Sequence, residues 1–203
     1  MIKNIIFDFG DIFINLDKEA TPKALFKLGI TYVSEETILV FQQYEKGLLS
    51  TESFLDFFEK KCKIPSMKFI DAWNAILLDF PTHRLKFIQD LAKNPKYRLF
   101  LLSNTNDLHI SWIQEDWGMP LFNSFQNCFE QFYLSHEIKM RKPNSDIYEF
   151  VLNENNLIPQ ETVFIDDTEE NTAAAKLLGM QVWNLIPGKD DVANLFKHKH
   201  FSN

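Results

Sequence analysis

The sequence is short of several features that would place it in a particular class. It holds only two cysteines in 203 residues, Cys62 and Cys128. Two distant thiols form neither a metal-ligand spacing nor a disulfide framework, so both are read as packing residues. No stretch approaches the roughly 18 apolar residues that a membrane-spanning helix needs. The apolar run at the N-terminus, interrupted by Lys3 and Asp8, is too short for a secretory leader, and no small-residue cleavage site follows it. A cytoplasmic protein is the expectation. Cations are outnumbered, 21 Lys and Arg against 28 Asp and Glu, which gives a formal net charge of -7. Without a basic stripe the chain is not expected to bind nucleic acid or an anionic membrane surface. A small anionic substrate stays open, because a local cluster of cations holds one whatever the overall charge. Repeats and low-complexity linkers are also missing.

What is present is enough apolar material, 45% of the residues, for one α/β domain with a small insertion. Residues 2–7 read as a short buried strand that ends in FDFGDI. From about Lys18 to Phe80 the apolar spacing is helical throughout. Thr21-Pro22 starts a first helix that stops at Gly29, and Ser34 opens a second that stops near Gly47. Ser50 or Thr51 opens a third and Ser66 a fourth. After Pro81 the texture alternates. A helix over 82–94 leads to the strand YRLFLLS, and one over 107–117 to QFYLS. Helices over 145–155 and 170–178 lead to TVFID and QVWNLI. Such alternation implies βαβ units and a parallel sheet covered on both faces. The predicted fold class is α/β: a Rossmann-like parallel-sheet core (residues 1–16 and 81–203) with an inserted four-helix cap (residues 17–80).

In an open parallel sheet, ligands bind beyond the carboxyl ends of the strands. Four polar signals fall there: Asp8-Phe9-Gly10-Asp11, Ser103-Asn104-Thr105-Asn106, the segment Lys139 to Pro143, and Asp166-Asp167. Singly each has a bland reading as a turn, a helix cap or a solvated loop charge. Adjacent carboxylates at a buried strand end are harder to dismiss, because they repel unless a cation or a proton separates them. Together the four supply what phosphoryl transfer from an ester requires. Carboxylates at two strand ends, Asp8 and Asp167, are suited to hold Mg²⁺ through oxygen. Asp8 is placed to attack as a nucleophile and split one hard step into two. Ser103, nearby backbone N–H groups and Lys142 offer hydrogen bonds and positive charge to phosphoryl oxygens.

The order FDFG, LLSN, MRKP, FIDD resembles the four motifs of the haloacid dehalogenase superfamily, and the position of the helical insertion is similar to its C1-type cap. The strings LLSNTN, LSHEIKMRKP, FIDDTEEN, YEKGLLSTESF and AWNAIL look like the branch containing glucose-1-phosphate phosphatase-like enzymes. The resemblance implies Asp8 as nucleophile, phosphate binding by Ser103, Asn104 and Lys142, and a Mg²⁺ site of Asp8, Asp167 and the carbonyl of Gly10. Asp166 is then a second ligand or the holder of a metal-bound water, and Asn171 orients the last motif. The implied activity is a magnesium-dependent phosphatase acting on a small phosphorylated metabolite, a sugar phosphate first. One position departs from the commonest pattern. Gly10 stands where most such phosphatases carry a second Asp, and the next residue, Asp11, is expected to bond nearby backbone rather than to replace it. Two other readings stand beside this one: a metal-free 2-haloacid dehalogenase, and a catalytically idle regulatory or binding protein on the same scaffold.

Weaker candidates complete the sequence reading. His109 is expected on a helix surface, and Lys197 to His200 as cations at a last helix end. Trp73 and Tyr44 are expected to help set substrate preference from the cap, although Trp73 also lies on an apolar stripe where core packing is equally natural.

Overall fold

The computed structural model describes residues 1–201. Strand β1 (Asn4–Phe7) is followed by four helices, α1 (Ala20–Lys27), α2 (Glu35–Glu45), α3 (Thr51–Cys62) and α4 (Ser66–Asn74). Then α5 (Thr82–Leu91) leads into β2 (Arg98–Ser103), and α6 (Asp107–Trp117) and α7 (Met119–Gln126) lead into β3 (Gln131–Leu134). The short α8 (Ser135–Ile138) and α9 (Ser145–Glu154) precede β4 (Thr162–Asp166), and α10 (Glu169–Leu177) precedes β5 (Gln181–Asn184). Among the described residues no helix is long and apolar enough to cross a membrane.

The five strands are all parallel, in the order β3-β2-β1-β4-β5. β1 is therefore central, and the chain winds outward from it first on one side and then on the other. That reversal opens a crevice at the carboxyl end of β1. The strands are apolar without interruption because both faces are covered. Ile5, Phe7, Leu99, Leu101, Val163 and Ile165 belong to one apolar cluster, whereas Ile6, Phe100, Leu102 and Phe164 belong to a second. The alternation is the two-residue period of a strand.

The helices α1 to α4 make a third cluster of their own around Phe54, Phe58, Phe69 and Trp73. Tyr44 stacks on Phe54 and Phe58 on Phe69, with ring centres 3.9 and 4.1 Å apart. The serines expected to start two of these helices do so. Ser34 and Ser50 accept hydrogen bonds from the amides of Thr37 and Ser53, both at 3.2 Å, which satisfies donors the first turn otherwise leaves unpaired. Helix α7 was not expected. Gly118, at φ +72°, ends α6 and Pro120 sits in the first turn of α7, where a missing amide hydrogen costs nothing. The pair reads as a breaker in the sequence and serves instead as the joint between two helices.

Candidate active site

The four motifs meet at the carboxyl edge of the sheet. Asp8 follows β1 directly, Ser103 ends β2, Asp166 ends β4, and Asp167 comes next in the chain. Lys142 enters from the loop between α8 and α9 and is almost completely buried. Its ammonium donates to Asp166 at 2.6 Å and to the carbonyl of Leu102 at 2.9 Å, and it lies 2.8 Å from Asp8. Burial alone would push this lysine down, but Asp166 and Asp8 more than offset it and hold it above its ordinary value.

The two adjacent acids have different surroundings. Asp166 is fully buried and saturated by protein donors. Besides Lys142 it accepts from the amide of Thr168 at 2.8 Å and from Asn171 Nδ2 at 3.0 and 3.1 Å. Asp167 faces the other way and takes a short hydrogen bond from Lys18, whose ammonium also lies 3.0 Å from Asp11. Burial pushes Asp167 above the usual carboxylate range; Lys18 opposes this and Asp166 adds to it. Asp8 is raised further, to about 7, first by burial, then against Lys142, and with the help of Asp166 and Asp167.

One oxygen from each of Asp8, Asp166 and Asp167 lies within 4.8 Å of the others. The donor set is hard oxygen, as Mg²⁺ prefers, and the upward shifts of Asp8 and Asp167 mark a surplus of negative charge that a divalent cation would relieve. The residues therefore fit the ion. Asp8, Asp167 and the main chain at Gly10 border one cleft of about 290 Å³, shared with Lys18, Arg141 and Lys142.

Gly10 has a local reason. A Cβ built there would stand 2.7 Å from Leu16 Cδ1, so the leucine fills the room a second aspartate would need. Asp11 takes the left-handed conformation at φ +55°. Its carboxylate accepts from the amide of Leu16 at 3.1 Å, which is the backbone bonding expected of it.

Asn104 is half-exposed, and its amide spans the main chain of Lys142, whereas the hydroxyl of Ser103 has only a 3.5 Å contact with the Asn104 carbonyl. Gly10, Leu16 and Asn104 also border a second, inner chamber of about 160 Å³ that includes Glu45, Asn106 and His109. His109 is thus not a surface residue. Its ring stacks on Trp73 and lies 3.3 Å from the Trp73 carbonyl and 3.2 Å from Asn106 Nδ2. Burial pushes it down to about 4, so it is neutral at physiological pH. Nε2 then donates to the carbonyl and Nδ1 accepts from the amide.

Trp73 and Tyr44, expected to meet substrate, do not line either cavity. The Trp73 indole donates to Asn106 at 3.3 Å, and the Tyr44 hydroxyl pairs with Thr51 at 2.9 Å and accepts from the Leu108 amide at 3.2 Å. Both rings pack in the helical cluster. Glu45 takes the place expected for them. This acid ends α2 and pairs with Arg141 at 3.0 Å, while its carbonyl accepts from Ser135 at 2.6 Å. Two residues later Gly47, at φ +56°, lies so near α8 that a Cβ on it would stand 2.0 Å from the carbonyl oxygen of His136. Isolated charges such as Lys18 and Glu45 carry no signal in the sequence by themselves. Their partners are far away in the chain.

Residues 5–185 match the model of the haloacid dehalogenase-like hydrolase family. The chain belongs to that family. It is 30% identical over 203 residues to the D-ribitol-5-phosphate phosphatase of Bacteroides thetaiotaomicron, covering 94% of this chain and 95% of that one. Among solved structures it is similar to a HAD family enzyme of the same organism in complex with magnesium, with TM-score 0.85 and 35% identity over 97% of this chain and 99% of that one. The wild-type form of that enzyme with magnesium and inorganic phosphate gives TM-score 0.81 and 34% identity, over 94% of this chain and 97% of that one.

Proposed function

We propose that the protein is a magnesium-dependent phosphatase that hydrolyses a small sugar or polyol phosphate through an aspartyl-phosphate on Asp8. The observation that carries this reading is the convergence of Asp8, Asp166 and Asp167 around one buried lysine at the carboxyl end of the central strand. The relative named for D-ribitol 5-phosphate and the magnesium and phosphate complexes of the structural neighbour support it.

Asp8, Asp167 and the carbonyl of Gly10 would hold Mg²⁺. Bound there, the ion supplies the charge neutralisation that lets an anionic carboxylate approach an anionic phosphate. The Asp8 carboxylate attacks phosphorus, and the P–O bond to the alcohol breaks. Lys142 and the Ser103 hydroxyl donate to the phosphoryl oxygens, with the main-chain N–H of Asn104 beside them. The amide of Asn104 contributes by holding Lys142 rather than by meeting phosphate. Asp166 and Asn171 fix the lysine from the far side, and water hydrolyses the acyl phosphate. With glycine at position 10 and Asp11 engaged by Leu16 and Lys18, the leaving alcohol takes its proton from solvent.

In this reading residues 17–80 act as a cap over the core formed by 1–16 and 81–203, excluding water and meeting the leaving group. The surplus negative charge at the strand ends favours this mechanism over a metal-free dehalogenase. The test is phosphate release from a panel of sugar and polyol phosphates with and without Mg²⁺. Turnover that requires Mg²⁺ is expected, and absence of release from every member overturns the reading.

A further inference from the structure

The inner chamber is built differently from the phosphate cleft it adjoins. Ile14, Leu16, Ile76, Leu77 and Ile113 give it apolar walls. Its volume of about 160 Å³ equals that of about five liquid waters, too little for a nucleobase attached to its sugar. Glu45 is the one charged side chain among the described residues that line it. His109 is held neutral there by burial. Glu45 Oε2 is committed to Arg141 Nε at 3.0 Å, whereas Oε1 is bonded to none of the described residues. A chamber with apolar walls, a neutral imidazole and one carboxylate oxygen in search of a donor suits a particular chemistry. It accepts hydroxyl hydrogens and repels anions.

We propose that this chamber is the leaving-group subsite, that it selects short uncharged polyhydroxylated alcohols, and that Glu45 is its specificity-determining residue. The proposal rests on the phosphatase reading above and adds to it a reason for rejecting phosphorylated carboxylic acids and bisphosphates. A second anionic group would be desolvated beside Glu45, where opposing charges are poorly screened. The same carboxylate accepts a hydrogen bond from a polyol hydroxyl. Arg141 fixes its position, because the guanidinium holds one oxygen and leaves the other directed by geometry.

The experiment compares kcat/KM for ribitol 5-phosphate and 3-phosphoglycerate in wild type, Glu45→Gln and Glu45→Asp, with acetyl phosphate as a small activated reference. Wild type is expected to hydrolyse acetyl phosphate and to prefer the polyol phosphate over the phospho-acid. Glu45→Gln keeps an acceptor for Arg141 and removes the charge, so the preference should shrink at least tenfold. Glu45→Asp keeps the charge, so the preference should persist. If wild type hydrolyses acetyl phosphate but the ratio in Glu45→Gln is unchanged, or Glu45→Asp loses the preference as Glu45→Gln does, the subsite assignment falls and the phosphatase reading stands. If wild type releases phosphate from none of the three, both fall.

Discussion

Asn104 grips Lys142 with both ends of its amide. Oδ1 accepts from the lysine's main-chain N–H and Nδ2 donates to its main-chain carbonyl, each at 2.9 Å. A loop residue is thereby held as a strand partner would hold it, and the ammonium at the end of its flexible stem is aimed by a rigid base. Asn104→Ala leaves both main-chain groups without this partner. Such a loss costs about 1–3 kcal/mol when the groups are buried. We expect lower stability in urea and a drop in kcat larger than the rise in KM, measured by phosphate release.

Asp8→Asn is expected to separate activity from stability. The amide cannot form the acyl phosphate, so kcat should fall below about a hundredth of wild type. Asp8 is also a buried carboxylate raised to about 7 by its surroundings. Removing its charge should leave the melting temperature of the metal-free protein at pH 8 unchanged or higher. A folded variant with a tenth or more of the wild-type rate would exclude the covalent role.

Asp166 and Asp167, though adjacent, should fail in different ways. Asp167→Ala removes an oxygen from the cation site, so the Mg²⁺ concentration for half-maximal rate should rise at least tenfold with little loss of stability. Asp166→Ala removes a fully buried partner of Lys142, and breaking a buried pair typically costs about 3–5 kcal/mol. Its signature should be a lowered melting temperature. Full wild-type activity in excess EDTA would contradict the metal requirement.

His109 gives a pH dependence with a definite sign. Its folded value near 4 lies below the ordinary 6.5, so the unfolded chain binds the extra proton more readily. The stabilisation is complete above about pH 6.5, declines as pH falls through the window, and is lost near pH 4. The melting temperature of wild type should therefore drop more steeply over that range than that of His109→Phe. Parallel curves would refute the assignment.

The sheet and its strand ends were legible in the sequence because buried parallel strands are unbroken apolar runs closed by polar residues. The serine starts of α2 and α3 were legible for a local reason, since the capping hydroxyl sits three residues from the amide it serves. Helix α7 was not, because Gly118 and Pro120 carry the same signal whether they end a structured segment or join two helices. The division of labour between Asp166 and Asp167 was left open, as it depends on donors from Thr168, Asn171 and distant Lys142. Trp73 and Tyr44 were misplaced for a related reason. An aromatic on a helix stripe faces whatever the neighbouring helices leave, and here they leave it inside their own cluster. His109 lies at the chamber because α4 and α6 meet there, which no spacing within either helix announces.

Gly47 gives the approach of the helical layer an end point. Where α2 reaches α8, main chain meets main chain with no side chain between them. Rotamers can yield by an ångström or more, but peptide planes cannot, so the distance of closest approach is set by covalent geometry. The chamber beneath then has the same dimensions each time it forms. Its sorting of substrates by size is as reproducible as a gauge, and a single methyl at position 47 would reset that gauge while leaving every residue that touches phosphate in place.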